Sequence, residues 1–237
     1  MTILNIETST HCCSAAITID GVAIEYRQST TTANHAHDLP LYIQELMAVA
    51  QRQNISFDAV ALSQGPGSYT GLRIGTSTAK GICYGLNLPL IPVDTLQLLS
   101  IEALAQIQAS NDDLANMYLC PMIDARRMEV YTALYDTNNV QRLTDISAVV
   151  VDANTLAEQL QHHSIYFFGD GAAKCKDIIC SENAHFIEDI VPQAQHMGTL
   201  AELTDAPHLD IKQMAYFEPF YLKDFIPAPS HVKGLDK

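Results

Sequence analysis

The chain has 237 residues, 48% of them apolar, and a net charge of −14. That charge excludes a strong nucleic-acid binder, which needs a basic footprint to neutralise phosphates, and no basic run exceeds Arg126-Arg127. With no apolar run of 18 residues and no signal-peptide pattern in the opening MTILNIETST, the reading is a soluble cytoplasmic protein without a membrane partner, its six cysteines reduced.

Period-2 alternation predicts strands at about 2–7, 12–19 and 22–28, with Asp20-Gly21 as the hairpin turn before the third. A helix follows at about 36–52, then a strand at 57–63, a helix at 70–86, a strand at 89–93 and a helix at 94–108. The second half repeats that order: strands at 117–123 and 129–135, a weaker one around 139–151, and a helix near 154–162. It continues with a strand at 165–168, a helix at 171–180, a strand at 185–188 and a helix at 194–204. Three antiparallel strands followed by alternating helices and strands describe a mixed sheet flanked by helices, as in ribonuclease-H-like domains. Two copies make the duplicated α/β architecture shared by actin, Hsp70 and sugar kinases. The expected division is an N-terminal domain over 1–110 and a C-terminal domain over 111–211, with the boundary in the polar stretch SNDDLAN at 110–116.

Residues 65–81, GPGSYTGLRIGTSTAKG, crowd glycine and proline into a strand-to-helix turn, where function tends to sit. At 100° per residue, Gly71, Gly75, Thr78, Ile82 and Gly85 share one face of the helix, with Arg73, Ser77, Lys80 and Tyr84 opposite. Gly75 and Gly81 are interior and each costs about 1 kcal/mol relative to alanine, so a close neighbour must offset them. Either the chain's own sheet or a partner helix meets that need. In the preceding helix, HDLPLYIQELMAVAQRQN, Leu39, Ile43, Leu46, Met47 and Ala50 form a core-facing stripe. Leu41, Tyr42, Glu45, Ala48 and Val49 form a second, partly apolar surface.

Residues for chemistry are sparse. In this fold class phosphates sit between the turns that open each half, where glycines let backbone N–H groups approach. Here those turns are Glu7-Thr8-Ser9-Thr10-His11 and Asp124-Ala125-Arg126-Arg127, without glycine. Arg126 and Arg127 are the candidates for gripping an anion, against a solvated or acid-paired role. His35 and His37 lie about 200° apart on a helix, the wrong spacing for one metal ion, so His35 reads as a local capping or packing residue. Cys12 and Cys13 point to opposite faces of a strand. Ser68 lies in G-S-Y-T-G rather than G-x-S-x-G, and Lys80 lacks the context of a P-loop. Gly169-Asp170-Gly171-Ala172 reads as a loop cap. No catalytic residue, cofactor or metal is expected.

The glycine string, with ILNIETST at 3–10, NHA at 34–36, IDARRMEVY at 123–131 and YFEPFYLKDF at 216–225, resembles the signature of the bacterial TsaB (YeaZ) family over nearly the full length. The resemblance implies the same duplicated fold, with segment 212–237 crossing back to the first domain. It implies a part in making N6-threonylcarbamoyladenosine at position 37 of tRNA, as a noncatalytic subunit that binds and activates TsaD. TsaE then joins through the complex, tRNA is met only indirectly, and a homodimer forms without TsaD. The implied interface is a four-helix bundle, with Leu41, Tyr42, Glu45, Val49, Gly71, Arg73, Gly75, Thr76, Thr78 and Lys80 as candidates. Two rivals stand beside it. An actin-like-fold ATPase or kinase would need the missing phosphate-loop glycines. A dinucleotide-binding oxidoreductase fits Gly65-x-Gly67 and Asp94, but Thr70 stands where the third glycine belongs.

Overall fold

The computed structural model describes residues 1–29, 34–110, 116–203 and 206–223. Residues 111–115, at the expected domain boundary, and the tail 224–237 of the expected crossing segment lie outside them.

The first sheet contains β1 (Thr2–Glu7), β2 (Cys13–Ile19), β3 (Val22–Ser29), β4 (Ala59–Gly65) and β5 (Leu90–Asp94), in the order β3-β2-β1-β4-β5. The first three are antiparallel, joined by an Asp20-Gly21 turn with both φ angles positive, while β4 and β5 run parallel to β1. Strands β1 and β4 are apolar on both faces because both faces are covered. Leu4, Ile6, Val60 and Leu62 pack under α1 (His35–Gln53) and α2 (Tyr69–Leu86), whereas Ile3, Ala59 and Ala61 meet Leu98 of α3 (Thr95–Ser110).

The second sheet contains β6 (Met117–Asp124), β7 (Glu129–Thr132), β9 (Ser147–Val150), β10 (Ser164–Phe168) and β11 (Ala184–Phe186) in the order β11-β10-β6-β7-β9, with β8 (Tyr135–Asp136) paired to β6. Read from β9, this is the strand order of the first sheet. Two mixed sheets with one topology, flanked by helices, make this the duplicated ribonuclease-H-like fold. No helix among the described residues is long and apolar enough to cross a membrane.

The second half is more irregular than its sequence suggests. The expected strand 129–135 breaks after Thr132, and the expected strand 139–151 shortens to β9. Between them the Asp136 carboxylate accepts N–H groups of Asn138, Asn139 and Gln141, taking backbone donors that a strand ladder would use. The helix expected at 154–162 is the single turn α4 (Ala157–Leu160), and that at 171–180 is a 3-10 turn over Ala173–Cys175.

The helix expected at 194–204 was to complete the second domain, but residues 194–203 cover the first sheet. A 3-10 turn at Ala194–His196 runs into α5 (Met197–Ala201), and the Ala194 N–H donates to Ser14 Oγ at 2.9 Å. Met197, Leu200 and Ala201 join Ile3, Ala59 and Ile91 in one apolar cluster. The return to the first half thus begins by Ala194 and not near Lys212. It continues through Leu209, which bridges Leu90, and α6 (Ile211–Tyr216), where Lys80 Nζ donates to the Ala215 carbonyl at 3.1 Å.

Candidate functional site

Helix α2 starts at Ser68, whose hydroxyl accepts the Gly71 N–H, and ends on Asn87 in the left-handed region. Its first glycines serve the protein's own packing. A Cβ at Gly71 would lie 2.0 Å from the Thr8 carbonyl oxygen, and one at Gly75 would lie 2.3 Å from Thr8 Oγ1. The notch expected to receive a partner at these positions is therefore filled by the β1–β2 turn. Thr76 is also buried, as is Val49 at 6% exposure, so the fold itself absorbs Val49, Gly71, Gly75 and Thr76 from the expected interface. Tyr42, Thr78 and Lys80 are half-buried, while Leu41, Glu45 and Arg73 are exposed. Glu45 bonds to Arg27 Nε at 2.5 Å.

Two other glycines have no close neighbour among the described residues. A Cβ at Gly81 or Gly85 would meet none of the described residues within 4 Å. With Ser77 they recur every four residues along the exposed side of α2, beside Tyr84 at 75% exposure and Leu86 at 51%. Tyr216 of α6, at 89%, is also exposed. At the other end of α2, Arg73 donates to Tyr69 Oη at 3.0 Å and lies 5.4 Å from that ring's centre, and Tyr69 packs on Tyr221. The outward surface is thus small-residue, aromatic and basic, and α2 contains no acidic residue. Sequence reasoning placed Ser77 and Tyr84 on one face and singled out Gly71 and Gly75, which the structure packs against Thr8, whereas Gly81 and Gly85 are the exposed glycines. The four-residue spacing of Ser77, Gly81 and Gly85 was the available signal.

The two opening turns meet across a cavity of about 590 Å³, lined by Thr10, His11 and His35 on one side and Asp124, Arg126 and Asp170 on the other. Arg126 and Arg127 both have positive φ, and neither guanidinium has a partner among the described residues. Asp124 pairs with Lys174 and accepts the Arg126 N–H at 3.0 Å. Asp170 holds the same turn by accepting the Asp124 N–H at 2.9 Å, and burial pushes its carboxyl up. Gly169, with φ +97°, and Gly171 let this loop pass under β6, where a Cβ on Gly169 would lie 2.5 Å from the Met122 carbonyl. Several turn N–H groups are taken by the chain's own oxygens. Ser9 N–H goes to Glu7, Cys12 N–H to Thr10 Oγ1 and Ala125 N–H to the Glu129 carbonyl.

The remaining candidates separate. His35 Nε2 contacts the Cys12 carbonyl at 3.1 Å, whereas exposed His37 pairs with Asp38. Asp94, the acid of the oxidoreductase reading, caps α3 through the Leu96 N–H and receives the Tyr135 hydroxyl at 2.9 Å, tying the two halves together. Glu7, which the sequence reading passed over, is fully buried at the end of β1.

The family model described as "TsaD: tRNA N6-adenosine threonylcarbamoyltransferase" matches residues 27–225. The chain is 28% identical to the tRNA threonylcarbamoyladenosine biosynthesis protein TsaB of Haemophilus influenzae, covering 94% of each protein. It is 28% identical to the Bacillus subtilis protein of the same name, covering 87% of this chain and 84% of that one. YeaZ from Pseudomonas aeruginosa has the same fold, with a TM-score of 0.69 at 22% identity, over 93% of this chain and 99% of that one. Long matches at the level of sequence, joined to a common fold, place this chain in the TsaB (YeaZ) family, within the wider family that the TsaD model describes.

Proposed function

We propose that the chain is a noncatalytic subunit in the formation of threonylcarbamoyladenosine on tRNA, and that it binds and activates the transferase TsaD through the outward face of α2 and the adjacent exposed side of α1. The observation that carries this reading is Gly81. An interior helix glycine costs about 1 kcal/mol, and here no contact among the described residues compensates for it. A closely approaching partner helix does. The transferase belongs to the same wider family and so presents equivalent helices, which lets two like faces pair about a pseudo-two-fold axis. The same face pairs two copies of this chain when TsaD is absent. TsaE joins through the assembled complex, and at −14 net charge this chain leaves the holding of tRNA to the transferase.

The noncatalytic part rests on the two opening turns, which lack glycine and in which the Ser9, Asp124, Ala125 and Arg126 N–H groups bond to the chain's own oxygens. That arrangement also disfavours the ATPase or kinase alternative. Calorimetric titration of the chain into TsaD tests the interface. Tyr84→Ala removes the most exposed aromatic side chain of α2 and is expected to weaken binding by about thirtyfold, the effect of a central aromatic anchor worth about 2 kcal/mol. Unchanged affinity would put the interface elsewhere.

A further inference from the structure

Glu7 has no solvent exposure and no charged group in contact among the described residues. Its Oε1 accepts both the N–H and the hydroxyl of Ser9, and its Oε2 accepts the hydroxyl of Ser63 on β4. The Ser9 carbonyl in turn accepts the N–H of Ser68, the residue that caps α2, at 2.6 Å. Between them Thr8 fills the notch at Gly71 and Gly75 and donates to the Gly71 carbonyl at 2.8 Å. One buried carboxyl is therefore linked by a short relay to the first turn of the exposed helix.

We propose that the protonation state of Glu7 sets how firmly the β1–β2 turn grips the N-terminal turn of α2, making this corner a pH-sensitive switch. Ionised, the carboxylate only accepts, and its three hydrogen bonds are charge-assisted, roughly twice as strong as neutral ones. On taking a proton from solvent, Oε2 becomes a donor and turns to the Ser63 oxygen, leaving Oε1 a neutral acceptor for Ser9. The hold on Ser9 weakens, and with it the anchor at Ser68. Burial is the largest influence on this carboxyl and pushes it up to about 7, against the opposing effect of the Ser63 and Ser9 donors.

The neighbouring thiols do not compete in that range. Cys12 and Cys13 feel the charge of Glu7, but burial pushes both thiols up to about 12, so they stay neutral. From α1, His35 reaches the Cys12 carbonyl and Asp38 acts on Cys13, while α2 and β4 bring no charged group to Glu7 among the described residues. A carboxyl raised in the folded state binds its proton more tightly there than in the unfolded chain. Its contribution to stability is complete below its ordinary value of 4.5 and is lost as pH rises through about 7.

The switch is a property of the fold, and only its effect on affinity for a partner rests on the docking face proposed above. NMR of the isolated chain tests it without any partner, following the Glu7 side-chain carboxyl carbon and the Ser9 and Ser68 amides from about pH 5 to about pH 9. The carboxyl is expected to titrate near neutrality, with both amides moving at the same midpoint in the wild type and in His35→Gln. In Glu7→Gln, which keeps the shape but stays neutral, the amides are expected to be flat. A carboxyl that titrates below about pH 5, amides that stay fixed while it titrates, or amides that still titrate in Glu7→Gln would each overturn the proposal. If Glu7→Gln does not fold, the wild-type midpoints alone decide.

Discussion

Gly75→Leu is expected to destabilise the isolated protein by about 2 kcal/mol or more, lowering the thermal midpoint by roughly 4–8 °C. Leucine favours helix over glycine by about 1 kcal/mol, so a simple propensity argument predicts the opposite sign. Packing wins because a Cβ at this position would lie 2.3 Å from Thr8 Oγ1 and 3.1 Å from Leu62 Cδ1, before the rest of the side chain is added. Thr8 cannot step aside cheaply. It is fully buried, stiff at χ1 and bonded to the Gly71 carbonyl. Differential scanning calorimetry reads the effect directly, and a midpoint equal to or above wild type would mean that the notch is open.

Gly81→Leu on the same helix is expected to do the reverse. With none of the described residues within 4 Å of the new Cβ, the isolated chain is expected to gain up to about 1 kcal/mol from helix propensity and to melt no earlier. The isobutyl group projects into the proposed interface and blocks the close approach of another helix. Overpacking of about 1–3 kcal/mol there corresponds to a loss of affinity for TsaD of about fivefold to about 150-fold. Calorimetric titration measures it, and wild-type affinity in a more stable protein would remove Gly81 from the interface. The pair of variants separates the two roles of glycine in one helix: loss of stability at Gly75, and loss of binding with stability kept at Gly81.

Both glycine roles obey the same rule of helix propensity, which is why sequence alone did not separate them. Periodicity located α2 to within a residue at its start and fixed its end at Leu86, but it does not say which face meets the sheet. That is decided by Thr8, about sixty positions earlier in the chain. The first half was legible because β1, β4, α1 and α2 are long and strongly patterned. The second half misled where short segments without long apolar stripes, such as 171–180, kept only single turns, since so short a helix does not offset its own nucleation cost. The path of 194–203 onto the first sheet depends on contacts with Ser14 and Ile3 that no local pattern encodes. Glu7 was hidden for a similar reason. It looks like a polar turn residue, and only the fold brings Ser63 of β4 to its carboxylate. Val49 shows the limit of reading a helix from composition, because its apolar surface is buried within the chain.

The most direct test of the proposed role is a single-turnover assay with threonylcarbamoyl adenylate and tRNA, run with this chain alone, with TsaD alone and with both. The account predicts no product from the chain alone at stoichiometric amounts, and faster transfer by TsaD when the wild-type chain is added than when Gly81→Leu is added. Robust product from this chain without TsaD would contradict it.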